Sequence, residues 1–272
     1  MKSNYRYIVK AFMAMAVIAG TTSCDDFLDR EPMSSISPET YYSTAAQLEA
    51  NLNDEYPNVL PSFGQWTYGI FGEDKGTDNQ IEVNANDRYT QDRWKVPHSE
   101  SDNWKFERIY RINFFLSEAL PKFGEDMSGS QNTISGSVAT IKHYIGEMYF
   151  LRAYEYFKKL QLFGDFPIID QPLADEMEAL REASKRFPRN EVARFIISDL
   201  DKAYAYMSDV DMATTRINKD AAMLVKSRVA LFEATWLQNF KGTAFVPGGE
   251  GWPGASLHNN YPVSYTHLRA HE

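Results

Sequence analysis

The sequence has one cysteine in 272 residues, which excludes an internal disulfide and any multi-cysteine metal centre. It has no apolar run approaching the roughly 20 residues that a membrane-spanning helix requires. Basic residues are in deficit: 28 Lys and Arg stand against 37 Asp and Glu, a net charge of -9. With no basic cluster to offset that sign, a phosphate backbone is a poor partner. No G-x-S-x-G element occurs. The glycine pattern Gly249-Glu250-Gly251-Trp252-Pro253-Gly254 has no strand before it and no helix opening after it. Pro253 also withholds an N–H from the turn, so the segment reads as a loop and not a phosphate cradle. His267 and His271 stand four apart without a third ligand, so no metal site is expected. Asp199 with Asp201, and Glu176 with Glu178, have the residue types of a hydrolase pair but read as solvated helix faces. What is present, 43% hydrophobic and 14% aromatic residues, is enough for a substantial core in one large domain or two small ones.

The lone cysteine has a telling position. Lys2, Arg6 and Lys10 precede the apolar run Ala11 to Gly20, and Thr21, Thr22 and Ser23 lead into Cys24. A charged start, a short apolar stretch and small residues before a cleavage point make residues 1–23 a signal peptide. Ending at a cysteine, it resembles a bacterial lipoprotein signal, in which Cys24 is acylated, by palmitate for example, after cleavage. The mature chain then has 25 basic against 37 acidic residues, a formal charge of -12. Residues 24–33 read as a tether, and Asp25 and Asp26 resemble the acidic export signal of outer-membrane lipoproteins displayed outside the cell.

Beyond the tether the periodicity is helical. Ser37 and Pro38 fit an N-cap and first helical residue, predicting a helix that stops at Tyr56 before Pro57. Residues 72–103 have no sustained period and predict a long loop with at most short strands. Apolar residues then recur at helical spacing over Asn103–Leu120, Thr140–Phe163, Arg189–Met207, with Pro188 as first helical residue, and from the cap Asn218 to near Gly242. The class expected is mainly α, tetratricopeptide-like helical hairpins with long irregular loops, although no clean 34-residue repeat emerges. Past Gly242 all periodicity is lost.

Two sets of residues stand out for chemistry. Arg152 lies among Met148, Tyr149, Ala153 and Tyr156, which would desolvate a guanidinium, so it is expected to have a structural role and to meet a carboxylate or backbone carbonyls. In the long loop, Asp78, Asn79, Arg88, Tyr89 and Trp94 combine an aromatic face with amide, carboxylate and guanidinium groups, the types that hold a sugar.

The blocks GEMYFLRAYEYFKKLQLFGDFPII (Gly146–Ile169), RFPRNEVARFIISDLDKAYAYM (Arg186–Met207) and RINKDAAMLVKSRVALFEATW (Arg216–Trp236) resemble successive helices of the SusD/RagB family of nutrient-uptake outer-membrane lipoproteins. CDDFLDREP (Cys24–Pro32) is similar to that family's start, and NWKFERIYRINFFLSEA (Asn103–Ala119) to its earlier tetratricopeptide-like helix. The resemblance implies a surface-exposed lipoprotein of the cell outer membrane that binds oligosaccharide or polysaccharide and delivers it to a TonB-dependent, SusC-like transporter. It implies no catalysis, no cofactor and no nucleic acid. Family members are about twice as long, so residues 34–262 are expected to be an incomplete N-terminal helical domain. Residues 263–272 (SYTHLRAHE from Ser264) resemble a translated adapter and are expected to be non-native. A secreted glycoside hydrolase and a tetratricopeptide-like peptide-binding scaffold are the alternatives.

Overall fold

The computed structural model describes residues 41–61, 103–124, 126–208, 212 and 215–258, with the backbone alone at 63–64 and 67–68. All lie in the unit Tyr42–Glu272 apart from Tyr41. The described elements are α1 (Ala45–Val59), β1 (Phe63–Gly64), β2 (Thr67–Tyr68), α2 (Glu107–Phe123), α3 (Val138–Phe163), α4 (Met177–Ala183), α5 (Arg189–Tyr206) and α6 (Lys219–Asn239), followed by a 3-10 turn at Pro253–Ser256. The two short strands pair antiparallel. The fold class is mainly α.

α3 organises the array. Seventeen of its 26 residues are buried, and each large apolar side chain removed from water contributes roughly 1.5–3 kcal/mol. α1, α2 and α5 all pack directly on it. The contacts fix the directions: His143 lies near Ser208, Arg152 against Asp199 and Tyr156 against Phe195, so α3 and α5 run antiparallel. Arg189 with Glu233 and Asp201 with Lys226 show α5 and α6 antiparallel in turn. α3 and α5 approach closely at Gly146, where an added Cβ would stand 2.8 Å from the Met207 amide nitrogen and 2.9 Å from the Ala203 carbonyl oxygen. At the other end Gly164 closes α3 with φ 69°, a left-handed conformation that a side chain resists.

The helix ends depart from the sequence expectations for identifiable reasons. α1 runs through Pro57 to Val59. Proline forfeits one backbone bond near the helix end, where buried Val59 anchors the last turn. The described start of α1 is Thr44, whose hydroxyl accepts from the Gln47 N–H while the Gln47 side chain accepts from the Thr44 N–H; Ser37 lies outside the described residues. α2 passes through Pro121 because Phe123 is fully buried beyond it. It starts at Glu107, four residues later than expected, because Trp104 and Phe106 are drawn into an aromatic cluster with Phe163 and Phe166, at centroid distances of 4.8–5.1 Å. Pro188 is the N-cap of α5 and not its first residue. Asn218 caps α6, accepting from the Ala221 N–H at 2.9 Å.

Candidate functional site

Three buried ion-pair systems stiffen the helices that carry the surface. Arg152, 3% exposed, donates through Nε and Nη2 to both carboxylate oxygens of Asp199 at 2.6 and 2.8 Å. Its Nη1 donates to Asn113 Oδ1 and to the Asp170 carbonyl, both at 2.9 Å, joining α2, α3, α5 and the segment after α3. The guanidinium also lies 5.3 and 5.2 Å from the Tyr149 and Phe195 ring centroids. Asp199 is 0% exposed, which corrects its reading as a solvated acid. Asp201 does face water, accepting from Lys226 Nζ at 2.6 Å.

Glu147 is the second hub. It accepts from Arg216 Nε and Nη2 at 2.8 and 2.7 Å and from the Tyr56 hydroxyl at 2.7 Å, tying α1 and the start of α6 to α3. Burial and the neighbouring Glu147 charge push the Tyr56 hydroxyl well above its ordinary pKa. The third is Arg189 at the head of α5, held by Glu233 through three bonds of 2.9–3.0 Å. Burial raises the Glu233 carboxyl, with the Arg189 bonds pulling the other way.

On this frame the C-terminal end of α3 carries two adjoining concavities that share Gln161 and Leu162. The first, about 810 Å³, lies toward the end of α1 and is lined by Arg108, Lys158, Arg228, Tyr154 and Phe157 among others. The second, about 530 Å³, lies toward the segment after α6 and includes Phe163, Asp165, Arg186, Trp236, Phe245 and Trp252. Together they form a trough whose rim is apolar: Leu162 and Phe245 are 59% and 62% exposed.

The segment after α6 had no periodicity, yet it is built into this site. Trp252 is buried, and its Nε1 donates to Asp165 Oδ2 at 2.7 Å, while Asp165 Oδ1 accepts from the Arg189 amide at 2.9 Å. Burial lifts the Asp165 carboxyl above its ordinary range against these two bonds. Trp236 donates from Nε1 to the Phe245 carbonyl at 3.1 Å, and its ring lies under the Arg189 guanidinium, 4.1 Å away. The glycine pattern at 249–254 forms the turn that seats Trp252 and opens no α-helix.

Cys24, Asp25, Asp26, Asp78, Asn79, Arg88, Tyr89 and Trp94 lie outside the described residues, as do His267 and His271. Sequence reasoning missed Asp165, Phe245 and Trp252, because turn segments give no periodic signal. Among the described residues no helix is long and apolar enough to cross a membrane, and no three His, Cys, Asp or Glu side chains group to hold a metal.

Known proteins were compared with this chain. Residues 26–231 match the SusD-like family model described as "Starch-binding associating with outer membrane". Two curated relatives from Formosa agariphila are 25% identical: SusD-like protein P2 over 257 residues, covering 90% of this chain and 46% of the relative, and SusD-like protein P25 over 233 residues, covering 79% and 41%. The chain therefore spans less than half the length of these curated relatives. Among solved structures, a SusD-like carbohydrate binding protein from Bacteroides fragilis aligns over 74% of this chain and 40% of its own, with 19% identity and a TM-score of 0.47. By the match across residues 26–231, this chain belongs to the SusD-like family.

Proposed function

We propose that this protein is a surface-exposed outer-membrane lipoprotein that binds glycan and passes it to a TonB-dependent, SusC-like transporter, without breaking bonds itself. The observation that carries this reading is the SusD-like match, which begins at residue 26, two residues after the lone cysteine Cys24. Cleavage and acylation at Cys24 leave Asp25 and Asp26 as an acidic export signal, followed by the tether to residue 33. The domain from residue 34 onward then holds the sugar surface beside the membrane.

In this reading the ligand is held by the loop residues Asp78, Asn79, Arg88, Tyr89 and Trp94 together with the trough at the end of α3. The trough offers what a pyranose needs: exposed ring surface at Phe245, apolar rim at Leu162, and polar groups at Gln161 and Arg186. Sugar C–H faces stack on rings, and hydroxyls pair with the polar groups. Arg152 serves as the structural post that holds α2, α3 and α5 in place beneath it.

Retardation of the protein in native gels cast with soluble starch, or with other polysaccharides in turn, tests the reading. A stacked ring supplies on the order of 1–2 kcal/mol. Trp94→Ala and Phe245→Ala are each expected to weaken retention by about tenfold with helix content unchanged. Retention identical to the parent in both folded variants would place the sugar elsewhere, and release of reducing ends from the polysaccharide would make the protein a hydrolase.

A further inference from the structure

The half of the trough nearer α1 is lined by basic side chains in an acidic chain. The chain has a nine-charge acidic excess, yet the described residues that line this cavity include Arg108, Lys158 and Arg228 and no carboxylate. Glu155, 3% exposed, pairs with the cations of this wall. Its carboxylate lies 2.8 Å from Lys158 Nζ, 3.3 Å from Lys159 Nζ and 3.9 Å from Arg108 Nη1. One buried negative charge thus faces three cations, and Arg228 on α6 adds a fourth with no ion-pair partner among the described residues.

The cations are positioned rather than merely present. Lys158 Nζ donates to the Val59 carbonyl at 2.8 Å at the end of α1 and lies 5.8 Å from the Tyr154 ring centroid, so its charge is fixed beside an aromatic wall. Buried Phe157 lies in the floor and exposed Leu162 on the rim. At about 810 Å³ the cavity is within the ordinary range for a small-molecule site. A neutral sugar would need the rings but would leave a net positive cleft uncompensated, whereas an anionic group draws on both.

Resting on the glycan-binding reading above, we infer that the Arg108–Lys158–Arg228 cavity binds an anionic oligosaccharide, one carrying carboxylate or sulfate groups, with Tyr154 against a ring face. Arginine at 108 and 228 suits either group, since a guanidinium fork meets carboxylate or sulfate oxygens in pairs.

The test is calorimetric titration of the full chain and its Arg228→Gln variant with three probes: an oligogalacturonide, a sulfated dextran oligosaccharide and a neutral maltooligosaccharide. Arg228 is exposed and makes no hydrogen bond or ion pair among the described residues, so the variant should fold. At least one acidic probe is expected to bind at least tenfold more tightly than the neutral one. That affinity should fall as NaCl rises from 50 to 300 mM, and should drop about tenfold in Arg228→Gln. Whichever acidic probe shows this identifies the group recognised. Equal affinity for acidic and neutral probes, or acidic binding unmoved by the substitution, would overturn the inference. So would complete competition by equimolar inorganic sulfate, which would show a simple ion site. Neutral binding without acidic binding would sink this inference alone; no binding of any glycan would sink the functional reading with it.

Discussion

Asp199→Ala is expected to cost about 3–5 kcal/mol of stability. The substitution leaves the Arg152 guanidinium, 3% exposed, with only Asn113 and the Asp170 carbonyl as oxygen acceptors. An unpaired buried charge carries the full desolvation penalty, whereas the intact pair is worth much less than that loss suggests. Against a total of about 5–15 kcal/mol for an ordinary domain, that is a large share of the whole. Urea titration followed by circular dichroism reads the change as a lower midpoint. The double variant Arg152→Met/Asp199→Leu should recover part of the loss, because it removes both buried charges. Asp201→Ala, on the exposed face of the same helix, should cost about 1 kcal/mol or less. A midpoint for Asp199→Ala equal to that of Asp201→Ala would show that the buried network does not hold the frame.

Cys24→Ala is expected to move the protein from the membrane fraction to the soluble fraction almost completely. Each buried CH₂ of an acyl chain contributes about 0.8 kcal/mol, and stable anchoring takes more than one chain. Among the described residues no helix is long and apolar enough to cross a bilayer. Metabolic labelling with a palmitate analogue should mark the parent and not the variant. Membrane retention at the parental level in Cys24→Ala would remove the lipoprotein half of the account.

The four main helices were legible because their apolar residues repeat at helical spacing over 17–26 positions. Their ends were not, because aromatic packing at Trp104 and Phe106 and burial of Val59 and Phe123 outweigh the local signals of proline and capping residues. α4 escaped notice altogether: over seven residues it buries none, so it leaves no apolar stripe. The buried acids were hidden in a different way. Asp199 falls in register with Val192, Ile196 and Ala203, and Glu233 with Val229, Ala230 and Leu237, all buried. A carboxylate inside an apolar stripe is a readable sign of a buried partner, and Arg152 and Arg189 are those partners. The trough is a tertiary product. Phe245, Trp252 and Asp165 come together through turns and single hydrogen bonds, which periodicity does not encode.

The central claim, glycan held at the end of α3, is tested most directly by hydrogen–deuterium exchange of the full chain with and without the oligosaccharide that gel retardation selects. The account predicts slowed exchange in residues 154–166 and 236–257 and in the loop at 72–103, with the Arg152–Asp199 core unchanged. Saturated glycan binding with no protection in any of these segments would contradict it.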